Sequence, residues 1–224
     1  MDRSYWEKVW REEDLGFHQP QVNRHLQRFW QRLQLPPQAR VFVPLCGKSL
    51  DLDWLLSEGH EVIGIDLAEQ AQQAVLARHS AAVRYAQQPH LHLAWQERLL
   101  FVVGDVFHLK ADLLRSVDAV YDRAALVALP TAVRENYALF LAHCLKPGAQ
   151  ILLVAREEAA RKDGPPFSVD AQEVERLYGA NFAIECLAEE VRSDQVIERV
   201  FALVRHSPWA SGFLPVEAQE TQAG

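Results

Sequence analysis

The run VFVPLCGKSLDLDWL, from Val41 to Leu55, changes from a strand pattern to a helix pattern across a single glycine. Val41-Phe42-Val43 is apolar and β-prone, as a parallel strand covered on both faces should be. Pro44 ends it, because its ring removes a ladder donor. Leu45-Cys46-Gly47 makes a tight turn, and Ser49 and Asp51 offer side-chain oxygens suited to capping a helix. Leu52, Leu55 and Leu56 then recur at helical spacing until Gly59 supplies a stop. A strand, a glycine turn and a helix in that order form the ligand-binding corner of a doubly wound α/β sheet.

Gly47-Lys48-Ser49 has the look of the end of a P-loop, but that motif needs a second glycine where this chain has Phe42. The dinucleotide fingerprint fails in the same way, since Gly47 is the only glycine of the turn. With no ring of amides to wrap a pyrophosphate, a nucleoside without phosphates fits better than a dinucleotide. Glu61-Val62-Ile63-Gly64-Ile65 reads as the next strand, with Asp66 at its carboxyl end, about 20 residues past Gly47. An acidic residue at that place and spacing binds the hydroxyls of a ribose. Capping of the helix that follows, over 68–79, is the plainer role for Asp66; ribose binding is preferred.

The segments "FVPLCGKS", "GHEVIGIDLAE" and "YDRAALVALP", with the N-terminal "YWEKVWREEDLGFHQP" and the late "IERVFAL", resemble the bacterial thiopurine S-methyltransferases from about Tyr5 to His206. The resemblance implies a class I, Rossmann-like methyltransferase fold that uses S-adenosyl-L-methionine. It implies an N-terminal helical arm over 1–35, a seven-stranded, mostly parallel sheet with a C-terminal antiparallel hairpin, and one domain over 1–206. It also carries site residues over: Trp10, Leu45, Gly47, Asp66, Asp105, Val106 and Arg123 toward the cofactor, Phe17 and Arg123 toward the substrate, and Arg123 as the catalytic group. Two positions depart from the family pattern. Asp66 stands where Glu is common, and Ala124 follows the Asp-Arg pair where Gly is common.

Composition narrows the function. The 224 residues fit one α/β domain, and 49% hydrophobic content is ordinary for a globular protein. A net charge of −7 argues against nucleic acid or an anionic membrane as partner. The three cysteines, Cys46, Cys144 and Cys186, are odd in number and far apart, which points to a reducing, cytoplasmic setting without structural zinc. Neither a signal-like start nor an apolar run of about 18 residues is present. A monomer acting on a small-molecule thiol is expected, with no metal.

Elsewhere the pattern is coarser. Tyr5, Trp6, Val9 and Trp10 share one side of a short helix, and Val22 to Leu33 reads as a second helix covering the sheet. Trp10 and Phe17 flank a polar loop, Glu12 to Gly16, that could fold over a ligand. Residues 80–98 look irregular, with His90 and His92 on one strand face but no third metal ligand nearby. Leu99 to Val103 is a strand whose terminal loop carries Asp105 and Val106. Val117 to Tyr121 is another, ending in Asp122-Arg123 at the same sheet edge as Gly47 and Asp66, where a site role is preferred to an ion pair for both residues. Thr131 reads as the cap of a long helix, and Ile151 to Ala155 as a fifth strand. The loop over 156–169, with Gly164-Pro165-Pro166-Phe167, is a candidate pocket wall. Phe182 to Leu187 and Val196 to Val204 form a hairpin through a short link, and 207–224 reads as a mobile tail.

The chemistry that the resemblance implies is methyl transfer to aromatic or heterocyclic thiols such as thiopurines, with detoxification of selenium or tellurium compounds as a related role. An acidic thiol needs no strong base, and Cys46 reads as a packing residue, not a nucleophile. A halide or aliphatic-thiol methyltransferase is the nearest alternative. An NAD(P)-dependent oxidoreductase and a non-catalytic nucleoside-binding module are the alternatives from other classes.

Overall fold

The computed structural model describes residues 3–12, 18–158, 164–193 and 195–206. Strands β1 (Arg40–Pro44), β2 (Glu61–Asp66), β3 (Arg84–Gln88), β4 (Leu91–Gln96), β5 (Leu99–Gly104), β6 (Ala119–Asp122), β7 (Gln150–Glu157), β8 (Phe182–Ser193) and β9 (Val196–Arg205) form one sheet in the order β3-β4-β5-β2-β1-β6-β7-β9-β8. From β5 to β7 the strands run parallel, so all of them end at one edge. β9 returns antiparallel beside β7, and β8 pairs with β9 outside it, which is the expected hairpin.

The helices are α1 (Arg3–Arg11), α2 (Arg24–Phe29), α3 (Asp51–Ser57), α4 (Glu69–Leu76), α5 (Ala111–Leu114), α6 (Ala125–Ala128), α7 (Thr131–Cys144) and α8 (Ala171–Tyr178). Alternate residues of each central strand bury into opposite layers, as the pleat requires. Phe42, Ile63, Val102, Val120 and Leu153 pack with Leu126, Tyr137, Leu141 and Tyr178 on the α6–α7–α8 side. Val41, Val62, Phe101, Tyr121 and Leu152 pack with Leu26, Trp30, Leu55 and Val75 on the α2–α3–α4 side. Two covered faces explain why the central strands read as unbroken apolar runs.

Among the described residues the sheet has nine strands where seven are expected. The additional pair, β3 and β4, occupies the segment that the sequence pattern reads as irregular and turns at His90, which adopts φ 66°. Every residue of β3 is exposed, so no apolar alternation marks it. His90 and His92 do not share a strand face. His90 sits in the turn and stacks on His108 at 4.7 Å, while His92 lies 3.5 Å from Glu69.

Three smaller expectations change. Helix α4 is shorter than 68–79. Thr131 is the first residue of α7 rather than its cap, the cap position being Pro130 with no side-chain hydrogen bond. β8 continues to Ser193, well past Leu187, through register shifts after Cys186 and after Val191. The tail over 207–224, Phe17, most of the loop before it and part of the loop over 156–169 lie outside the described residues. Among the described residues, no helix is long and apolar enough to cross a membrane.

Candidate functional site

The turn after β1 is tied to the end of β2 by backbone and carboxylate. The Cys46 amide donates to the Ile65 carbonyl at 3.0 Å, and the Gly47 amide donates to Asp66 Oδ2 at 2.9 Å. Asp66 Oδ1 accepts the Ala68 amide at 3.0 Å, which fixes the turn ahead of α4 without capping that helix, whose cap position is Ala68 with no side-chain hydrogen bond. Gly47 takes φ 52°, the left-handed region where glycine is unstrained. Leu45 takes φ 47°, a conformation that costs an L-residue about 1–2 kcal/mol. Burial pushes the Asp66 carboxyl up from its ordinary value, against the amides of Ala68, Gly47 and Leu67 that favour its anion.

Cys46 lies against Gly64, where an added Cβ would stand 3.0 Å from its Sγ. Its thiol is held well above the ordinary range by burial, with the Asp66 charge adding to the effect. Both facts fit a packing role.

Ser49 accepts the Asp51 amide at 3.1 Å, close to the capping expected of it. Asp51 does something else. It is buried, its Oδ1 accepts the Asn23 amide at 2.7 Å, and its Oδ2 accepts the Tyr121 hydroxyl at 3.0 Å. One carboxylate thus joins the N-terminal arm, the start of α3 and the end of β6.

Asp122 and Arg123 part company at the end of β6. Asp122 has no exposed surface; its Oδ1 accepts the Ala125 and Leu126 amides and its Oδ2 accepts the Tyr137 hydroxyl at 2.8 Å. Burial raises its carboxyl to about 6. It caps α6 from inside the core, so the site role expected for it is withdrawn. Arg123 instead lines the cavity at the sheet edge. Ala124 follows with φ −122°, a backbone open to any L-residue, so the absence of glycine there is without strain.

That cavity has a volume of about 840 Å³, within the range of small-molecule sites. Leu45, Asp66 and Leu67 line it from the β1–β2 corner, Trp6 and Trp10 from α1, and Pro165 and Pro166 from the loop expected to form a wall. Trp10 is 7% exposed. Gly47 reaches the site through its amide bond to Asp66. Asp105 accepts the Phe107 amide at 3.1 Å as a turn residue, and the Val106 side chain is buried in the core, so neither side chain is among those lining the cavity. Phe17 lies outside the described residues.

The sequence pattern gave no role to the far wall. There His25 is buried with its Nε2 3.3 Å from Glu198, and Arg192 pairs with Glu198 at 2.9 Å. The His25 hydrogen bond, helped by Arg192 and Arg24, holds Glu198 below its ordinary value. Tyr5 and Trp6, read only as one side of a helix, also line the cavity and meet edge-to-face at 5.2 Å. Their helical spacing with Trp10 was the available signal; the residues of the far wall come from separate stretches and carry none.

A carboxylate at the end of β2, a single-glycine turn with no phosphate cradle, and an aromatic wall suit an adenosine sulfonium. The donor set therefore fits S-adenosylmethionine.

Comparison with known proteins agrees. The family model for thiopurine S-methyltransferase matches residues 1–205. A thiopurine S-methyltransferase of Nitrosospira multiformis is 42% identical over 190 residues, covering 84% of this chain and 86% of that one. One from Azotobacter vinelandii is 39% identical over 217 residues, covering 92% and 100%. Among solved structures, a 1,6-didemethyltoxoflavin N1-methyltransferase of Burkholderia thailandensis, bound to S-adenosylhomocysteine, aligns with a TM-score of 0.69 at 17% identity, covering 92% and 87%. That likeness concerns the fold. The chain belongs to the thiopurine S-methyltransferase family and is an S-adenosylmethionine-dependent S-methyltransferase.

Proposed function

We propose that the protein methylates thiopurines and other aromatic or heterocyclic thiols. In this reading the cofactor is held between the β1 turn and Asp66, and the acceptor between the aromatic arm and Arg123. One observation carries it: a single cavity of about 840 Å³ has Asp66, Leu45, Trp10 and Arg123 in its walls.

Bound S-adenosylmethionine supplies an activated methyl group on a cationic sulfonium. Asp66 accepts the Gly47 and Ala68 amides, with the Leu67 amide also favouring its anion, and a carboxylate offers about four acceptor positions, which leaves capacity toward the ribose. Leu45 and Trp10 cover the cofactor, and the face of Trp10 favours a cation. Val106 serves adenine through its backbone, with its side chain anchoring that backbone in the core, and Asp105 fixes the same turn. The Arg123 guanidinium holds the anionic sulfur in line. The arm, residues 1–35, excludes water from the cavity.

Calorimetry with S-adenosylhomocysteine and with NADH, followed by turnover on a panel of thiols, tests the reading. Binding of the first ligand, none of the second, and turnover of 6-mercaptopurine are expected. NADH binding, or a panel left unmethylated, would contradict it. We extend the proposal to selenium and tellurium compounds, whose softer nucleophilic atoms suit the same sulfonium; a selenol beside the matching thiol tests that extension.

A further inference from the structure

The large cavity adjoins a second one of about 30 Å³, and the two share Gln19, Leu45, Arg123 and Ala124 in their walls. His18 lines the small one. The titratable side chains around that space are His18, Cys46, Lys48, Asp51, Tyr121 and Arg123. Burial holds the Cys46 thiol and the Tyr121 hydroxyl well above their ordinary values. Asp51 already accepts from Asn23 and Tyr121. Lys48 and Arg123 are cations. Arg78, which also bears on His18, is engaged by Asp53 at 2.7 Å and by the Lys48 and Ser49 carbonyls. His18 is the side chain that remains able to take a proton. Its burial comes first among the causes that hold the imidazole below its ordinary value, with Lys48, Arg78 and Arg123 adding to it, so it is neutral at neutral pH.

We infer that His18, in the wall of the small cavity that adjoins the large one at Arg123, is the proton acceptor for acceptor thiols that enter still protonated. This rests on the thiol reading above. An imidazole nitrogen takes the S–H proton, leaving a thiolate beside Arg123. The thiolate electron pair forms the new S–C bond as the bond from the methyl carbon to the sulfonium sulfur breaks, that pair staying on the departing S-adenosylhomocysteine. The imidazolium then returns its proton to water. The same cations act on both partners, favouring the thiolate and keeping His18 neutral.

The test uses the full chain with His18→Asn and His18→Gln, an acidic aryl thiol such as 4-nitrothiophenol, and a weakly acidic one such as benzyl mercaptan. For the weak thiol kcat/KM should fall by roughly 100-fold. The loss on the acidic thiol should be smaller by at least about tenfold, because that acceptor is already ionised. The acidic limb of the wild-type pH profile on the weak thiol should vanish in both variants. Without turnover, the thiolate absorbance of the weak thiol bound beside S-adenosylhomocysteine should also vanish, while titration with S-adenosylhomocysteine alone confirms that the variants fold. Equal losses on both thiols, a retained thiolate band, or loss of the acidic limb in His25→Asn instead would overturn the assignment. A wild-type protein that neither binds nor methylates any thiol overturns the thiol reading itself, a distinct result.

Discussion

Asp66 and Asp122 occupy the same topological place, the carboxyl ends of parallel strands β2 and β6, yet they serve different ends. Asp66 follows a strand whose end meets the β1 turn, and it lines the cavity while gripping two amides. Asp122 turns inward to α6 and Tyr137 and has no exposed surface. Burial raises both carboxyls, that of Asp122 to about 6. A sheet edge collects functional residues, but the direction of each side chain decides which of them meet a ligand. At β6 it is the next residue, Arg123, that lines the cavity.

The difference can be broken first by stability. Asp122→Ala removes the acceptor from two buried amides and a buried hydroxyl, and should cost about 3–5 kcal/mol. Thermal unfolding followed by circular dichroism should show a melting temperature lower by roughly 8–15 °C. A normal melting curve would mean that this carboxylate is not a core cap. Its titration gives a second reading. With 3.8 unfolded and about 6 folded, the group's stabilising contribution is fully present below the lower value and is lost as pH rises through the upper one. Relative to Asp122→Asn, wild type should therefore lose roughly 1–3 kcal/mol between about pH 4 and 6.5.

Arg123→Met should leave folding intact and lower kcat/KM for 6-mercaptopurine by on the order of tenfold to a hundredfold. Arg123→Lys should recover part of that, because charge survives and the planar fork does not. Full activity in Arg123→Met would move the acceptor role elsewhere.

Asp66→Ala should weaken S-adenosylhomocysteine binding by roughly tenfold, from lost ribose acceptors and a loosened Gly47 turn together. Asp66→Asn keeps an acceptor oxygen for only one of the two amides and should fall between Asp66→Ala and wild type. Unchanged affinity in both would remove Asp66 from the ribose. The smallest effect belongs to the arm: amide exchange in α1 should slow a few-fold when S-adenosylhomocysteine binds. Equal rates with and without ligand would make α1 packing alone.

How much of this was legible follows from what a linear pattern encodes. The β1-turn-α3 corner was readable because apolar run, proline, glycine and helical leucines fall in sequence over a short stretch. The β3–β4 hairpin was not, because an exposed edge strand such as Arg84–Gln88 has no buried face to leave a period of two. Asp66 and Arg123, chosen from their place at strand ends, both line the cavity. Asp122 was misassigned by the same logic, since adjacent positions on a strand point to opposite faces and the sequence does not say which face holds the ligand. His18, His25, Arg192 and Glu198 meet around the cavities from distant segments, and no local spacing announces them. The left-handed Leu45 is likewise visible only in the backbone.

The most direct test of the whole account is a single turnover with methyl-deuterated S-adenosylmethionine and 6-mercaptopurine, with protein in excess and products read by mass spectrometry. The account predicts one deuterated methyl group on the sulfur of the purine for each S-adenosylhomocysteine formed. Label on a ring nitrogen, or S-adenosylmethionine bound and left intact beside the thiol, would contradict it.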